Sequence, residues 1–203
     1  MATFPHKKRK MPSDYLLIGD IGGTNGRFAL HSTGKNNKEA LYTNTFLNSK
    51  YITNEKFCFT EVLKPFLAEC FDKLSELKQH GNDVSFVACF AVAGPVKQNT
   101  AFLSNITNDA FTALTIDGVE MEKMQEGYFK HIKHITLIND FQGQGYGLLD
   151  LDLKNEAIEL IAGSEEKMDP NGPRACVGAG TGLGQCYLTP GDDGFTCYPS
   201  EVR

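Results

Sequence analysis

The chain has 203 residues, 41 % of them hydrophobic and 22 % charged, with 14 Phe and no Trp. This is ordinary globular composition, long enough for one good core and the start of a second. A formal net charge of −5 gives no electrostatic case for nucleic acid or an anionic membrane surface as the main partner, and no apolar run approaches the roughly 20 residues that span a bilayer.

The opening, MATFPHKKRKMPSDY, lacks the apolar middle of a secretion signal. Its basic run Lys7-Lys8-Arg9-Lys10 reads as part of a solvated, disordered tail over residues 1–13 in preference to a nuclear address. Residues 15–21, YLLIGDI, have strand length and strand composition. Gly22-Gly23-Thr24-Asn25-Gly26 follows and Arg27 resumes an apolar pattern, so the segment predicts a β-hairpin with a glycine turn. A polar turn over 32–38 and a strand near 41–46 come next.

The best helix spans residues 60–79. There Val62, Leu63, Phe66, Leu67, Cys70, Phe71, Leu74 and Leu77 form one apolar stripe, with Thr60 as its cap and Gly81 as its stop. Pro65 argues for an irregular start. Residues 84–92, VSFVACFAV, predict a buried strand closed by Gly94-Pro95. After a mixed stretch, residues 134–141, HITLINDF, predict another. Gly143, Gly145 and Gly147 then read as a loop, with a helix from Leu148 onward. Residues 175–188, ACVGAGTGLGQCYL, repeat the strand–glycine turn–strand design, which suggests two related halves. Roughly residues 14–150 form the first. The remaining residues, 151–203, are too few for an independent core.

The six cysteines (Cys58, Cys70, Cys89, Cys176, Cys186, Cys197) are scattered without a C-x-x-C pair. They read as free thiols of a reducing compartment rather than disulfides or zinc ligands. The five histidines (His6, His31, His80, His131, His134) show no metal-ligand grouping.

A turn between strands holds an anion when successive backbone N–H groups converge, and glycine permits both the backbone angles and the close approach. Gly22, Gly23, Thr24 and Asn25 fit that description, with Asp20 at the strand end as a carboxylate for Mg²⁺ through water. Gly178, Gly180, Gly182 and Gly184 around Thr181 fit it too. Neither a P-loop nor G-x-G-x-x-G spacing is present. Either turn alone is as compatible with a ligand-free hairpin. The pair Asn139-Asp140 is likewise open between a turn or helix cap and a catalytic pair at a strand end.

Several segments together resemble the bacterial-type glucokinases of the actin-like sugar-kinase superfamily. Gly19-Asp20-Ile21-Gly22-Gly23-Thr24-Asn25 with Arg27 looks like their first phosphate motif, and Gly178-Ala179-Gly180-Thr181-Gly182-Leu183-Gly184 like the second. Ile138-Asn139-Asp140-Phe141 resembles the segment carrying a sugar-binding Asn and the catalytic Asp. Ala93-Gly94-Pro95-Val96, Thr107-Asn108 with Phe111, and Pro199-Ser200-Glu201 resemble three further motifs. Phe111 stands where Trp is usual and Gly26 where Ala is common. The Gly-Gly-His continuation after Glu201 is missing, so the chain is expected to be a truncated gene product or piece of a longer enzyme.

The resemblance implies an α/β, actin-like (ribonuclease H-like) fold: a mixed five-stranded sheet with flanking helices, then the incomplete start of a second α/β domain. It implies ATP-dependent phosphorylation of glucose at the 6-hydroxyl, with Asp140 as general base. Asn108, Asn139, Asp140 and Glu201 would hold the sugar, with Asn105 an alternative for Asn108 after a small shift. Gly19, Asp20, Ile21, Gly22, Gly23, Thr24, Asn25, Gly180, Thr181 and Gly182 would hold ATP, and Asp20 the Mg²⁺. Glucose and ATP are the expected partners, with no nucleic acid or membrane, in a cytoplasmic enzyme that is a homodimer at full length. The alternative is a catalytically silent sugar-binding or regulatory domain of the same fold, since fold does not fix function.

Overall fold

A computed structural model describes residues 15–34, 39–53, 56–77, 84–103, 114–160, 169, 171–179, 183–192 and 194–201. The basic tail, Gly81, Asn105, Asn108 and Phe111 lie outside them. The first hairpin forms as expected, from β1 (Tyr15–Ile21) and β2 (Asn25–Ser32), and β3 (Tyr42–Leu47) extends it into an antiparallel meander. Strand β2 resumes at Asn25, which leaves only residues 22–24 in the turn. A hairpin of β4 (Ile52–Thr53) and β5 (Lys56–Phe57) leads into helix α1 (Phe59–Glu76).

Helix α1 follows the predicted stripe, burying Phe59, Val62, Leu63, Phe66, Leu67, Cys70 and Leu74. Its start differs from expectation. Cys58 is the N-cap, and Thr60 makes no side-chain cap bond; its hydroxyl lies 3.2 Å from the Cys58 sulfur instead. Pro65 sits inside the helix, where it removes one backbone donor.

The chain returns through β6 (Phe86–Val92), which pairs parallel with β1. A second small sheet follows, built from β7 (Val96–Lys97), β8 (Thr100–Leu103) and β9 (Leu114–Asp117), and then a one-turn helix α2 (Gly118–Glu122). Gln98 and Asn99 close the β7–β8 hairpin with φ of 51° and 60°, the pair of left-handed residues that a two-residue type I′ turn requires.

Strand β10 (Ile132–Asn139) completes the mixed sheet in the order β10-β6-β1-β2-β3, as the resemblance implied. Strand β10 lies at its edge, and side chains occupy backbone groups there. The Asn99 amide donates to Ile135 O (2.9 Å) and accepts from Leu137 N–H (2.8 Å), while Glu122 accepts from Ile135 N–H (2.6 Å).

One face of this sheet packs on α1 around an aromatic cluster. Phe28 lies 5.2 Å from Phe66, and Phe59 lies 5.3 Å from Phe90, centroid to centroid. Gly19 pairs in register with both Phe28 and Phe90, and a Cβ there would sit 2.6 Å from the Phe90 ring and 3.1 Å from the Phe28 ring. Glycine in mid-strand is therefore what lets the two rings close over β1.

The largest difference from expectation is helix α3 (Asp140–Leu148), which runs through the glycines read as a loop and ends where a helix was expected to begin. Its cap and its packing outweigh weak propensity. Gly143 lies over β6 and β10, where a Cβ would meet Ala91 at 3.1 Å. Gly145 faces the opposite way, and a Cβ there would sit 2.6 Å from both the Cys186 and Cys197 sulfurs.

Those cysteines belong to the second meander, β11 (Arg174–Ala179), β12 (Leu183–Gly191) and β13 (Gly194–Glu201). The predicted hairpin over 175–188 is present. Strand β13 pairs along the hairpin's second strand from Gly184 to Gly191. Cys186, Leu188 and Cys197 form a small second core, with Phe141 and Leu149 against it. All six cysteines are free thiols.

Candidate active site

Strands β1, β6 and β10 run parallel and end level, since Ile21 pairs with Val92 and Val92 with Asn139. Their carboxyl ends therefore share one rim, the edge where open α/β sheets bind ligands. The first glycine turn leaves β1 at that rim, and Asp140 leaves β10 there. Two strand spacings, about 10 Å, separate the two strands. Between them, Ala93 N–H donates to Ile21 O (2.9 Å) and folds the end of β6 toward β1. Gly94 has φ of 145°, and its missing Cβ makes way for the Phe102 carbonyl, so the Gly-Pro segment accepts no larger residue.

The first turn is braced from within. Gly22 N–H donates to Asn25 O (2.9 Å), the Asn48 amide donates to Gly22 O (2.8 Å), and Asn48 N–H donates to Thr24 O (2.9 Å). Asp20 lies across β1–β2 from Arg27, and their side chains pair at 3.0 Å while remaining largely exposed. The pair is screened by water and leaves the carboxylate reachable from solution.

Asn139 is 2 % exposed and does structural work with both ends of its amide. Its Oδ1 accepts from the N–H groups of Phe141 (3.0 Å) and Gln142 (3.4 Å), capping α3, and its Nδ2 donates to Gly94 O (3.0 Å). Asp140 is the first residue of the helix and half-buried, with Oδ1 accepting from Phe141 N–H at 2.9 Å. Of the open alternative the cap is present, in Asn139, and Asp140 follows it as the first helical residue at the end of β10.

Helix α3 also ties this rim to the second meander. Gln142 Nε2 donates to Cys197 O (3.0 Å), and Cys197 N–H donates to the Tyr146 hydroxyl (3.3 Å). The Phe141 ring lies against Gly178 and Gly184, which are register partners directly below the second turn. A Cβ on Gly178 would come within 2.9 Å of the ring, and one on Gly184 would collide with it. Two of the four alternating glycines thus make room for an aromatic side chain. The other candidates of that turn, Gly180, Thr181 and Gly182, lie outside the described residues. Glu201 pairs with Gly184, at the same end of the sheet as Phe141.

Asn48 and Phe141 were not singled out from the sequence. Asn48 follows an apolar strand as one of many polar residues, and Phe141 reads as the end of a buried run. A groove of about 360 Å³ between the start of α1 and α2, floored by Ile116, Met121 and Met124, involves none of the candidate residues. Among the described residues no group of three or more His, Cys, Asp or Glu is placed to hold a metal ion.

A mixed five-stranded sheet with a glycine turn on its first hairpin, joined by a helix to a second such hairpin, is the actin-like fold of sugar kinases. Two solved structures align over 93 % of this chain with a TM-score of 0.61: glucokinase from an Antarctic psychrotroph, at 26 % identity and 50 % of its length, and glucokinase from Balamuthia mandrillaris in complex with glucose, at 21 % and 48 %. Curated glucokinases from Synechocystis sp. and Saccharophagus degradans are 34 % and 30 % identical over 188 and 190 residues. The glucokinase family model matches residues 17–202, and the chain belongs to that family. It covers 47 % and 49 % of those two relatives, so it spans about half the length of the curated proteins it matches.

Proposed function

We propose that this protein is an ATP-dependent glucokinase. In this reading the described residues supply the catalytic carboxylate and one of two phosphate-gripping turns. The observation that carries it is the placement of Asp140: level with the first glycine turn on one rim, and one residue before the ring seated under the second. Asp140 accepts the proton of the glucose 6-hydroxyl as that oxygen bonds the γ-phosphorus; the bond from phosphorus to the bridging oxygen breaks, and ADP leaves. Asn108 and Glu201 hold other hydroxyls of the sugar, while Asn139, its amide committed to the α3 cap and to Gly94 O, positions Asp140. Gly22, Gly23, Thr24 and Asn25, with Gly180, Thr181 and Gly182 of the second turn, hold the phosphates through backbone N–H groups.

The chemistry of Asp20 fits Mg²⁺. This ion keeps most of its water and takes one or two carboxylates together with substrate phosphates, and Asp20 offers one exposed carboxylate at the mouth of the turn. When bound, the ion would neutralise charge on the phosphates. A cytoplasmic location and a homodimer at full length belong to the same reading, supported respectively by the free thiols and by the family resemblance.

Replacing Asp140 by Ala is expected to lower turnover about 10²–10⁴-fold while glucose binding, followed by calorimetry, persists. A variant with an unchanged rate removes Asp140 as the base. A wild-type protein that binds glucose but never phosphorylates it favours the sensor alternative.

A further inference from the structure

Asn48 is fully buried, and its Oδ1 has no hydrogen-bond partner among the described residues. An apolar side chain of similar size would avoid that cost, so what the position gains lies in the rest of the residue. The Asn48 Nδ2 donates to Gly22 O, and its backbone N–H donates to Thr24 O. Two of the first turn's three carbonyls, those of Gly22 and Thr24, are thereby drawn to the inside. The described peptide bonds are all trans, so each C=O is antiparallel to the N–H that follows it. Turning Gly22 O and Thr24 O toward Asn48 directs the N–H groups of Gly23 and Asn25 to the opposite side. Gly26 leaves space for this arrangement, since a Cβ there would stand 3.4 Å from Asn48 Oδ1 and 3.0 Å from the Phe28 ring.

We infer that Asn48 is a positioning residue for the nucleotide: by holding those two carbonyls of the turn inward it presents the Gly23 and Asn25 amides as donors to a phosphate group. The inference rests on the kinase reading and deepens it. It also accounts for a small residue at Gly26, because a larger one would press on the brace and on Phe28.

The test uses the full-length protein with MgATP and glucose as separate probes. Asn48→Leu keeps the volume and removes the donor. It is expected to weaken MgATP binding about ten-fold, the scale of one lost hydrogen bond, while glucose affinity stays within about two-fold of wild type. MgATP affinity that is unchanged, or a parallel loss of both ligands, overturns the inference. A second measurement needs no variant. With ¹⁵N-glycine labelling, the Gly23 amide resonance of the wild type should shift on adding MgATP and remain still on adding glucose alone. A Gly23 amide that ignores MgATP in an enzyme that phosphorylates glucose overturns the inference and leaves the kinase reading standing. A wild type that neither binds MgATP nor turns over sinks both.

Discussion

The two three-stranded meanders share a plan and differ in what supports them. Each is antiparallel, and in each three residues separate the end of the first strand from the start of the second: Ile21 from Asn25 in one, Ala179 from Leu183 in the other. In each, glycine gives way to aromatic rings close to the turn: Gly19 to Phe28 and Phe90, Gly178 and Gly184 to Phe141. The first meander is buried against α1 and belongs to a core rich in phenylalanine. The second rests on three small buried side chains, two of them cysteines, and on one short helix. Val177, Leu183, Tyr187 and Tyr198 remain exposed on it. The lesson is that a glycine-rich turn between strands does not dictate its own support. Similar loops are mounted here on a deep core and on a shallow one.

Truncating each core in turn breaks the comparison most sharply. Phe66 is fully buried in the aromatic cluster, and Phe66→Ala should cost about 3–5 kcal/mol. Leu188→Ala removes a smaller buried side chain from the second core and should cost about 2–3 kcal/mol, near the lower end for such changes. Chemical denaturation of both variants measures the difference, and equal losses would show that the second meander is as deeply supported as the first.

A medium effect is expected at the joint. Gly184→Ala drives a methyl group into the Phe141 ring and should cost about 1–3 kcal/mol by overpacking. Adding Phe141→Leu makes room and should recover part of the loss, so the double variant melts above Gly184→Ala alone. Additive losses would mean that ring and glycine do not share one space.

The smallest effect is set by pH. Burial, with the Cys197 thiol beside it, pushes the Cys186 thiol up to about 11 from an ordinary value of 9.0. The folded protein keeps this proton where the unfolded chain releases it. The resulting stability is complete below about pH 9 and is lost as pH rises through 11. Burial raises Cys70 in the first core further still. Thermal melts from pH 8 to 11 should therefore fall, and Cys186→Ala should flatten only the part contributed by the second core. A slope unchanged by that substitution would assign the whole effect elsewhere.

Much of the first sheet was legible because its signals are local. The apolar stripe of α1 and the strand runs before Gly22 and Gly94 follow from periodicity and composition. Helix α3 was not, because three glycines within nine residues oppose a helix by propensity; the closeness of Ala91 on one side and two sulfurs on the other explains them only in three dimensions. The small sheet was missed because Gln98-Asn99 lacks the glycine that usually marks a type I′ turn. At the candidate site, the turn residues and Asp140 are proposals that rest on motifs. Gly19 was assigned to ATP, and Gly178 and Gly184 to the second anion turn; each also has a packing reason visible only across strands. Asn48 carried no signal, since its role depends on two carbonyls more than twenty positions away.

The glycine content of α3 has a consequence for assembly. Each interior glycine costs a helix roughly 1 kcal/mol against alanine, and a nine-residue helix is too short to persist in water alone. This helix therefore forms where neighbours grip it: the Asn139 cap and Ala91 on one side, Cys186, Cys197 and the glycine notch under Phe141 on the other. Asp140 begins that helix, so the carboxylate is set only after both halves have met.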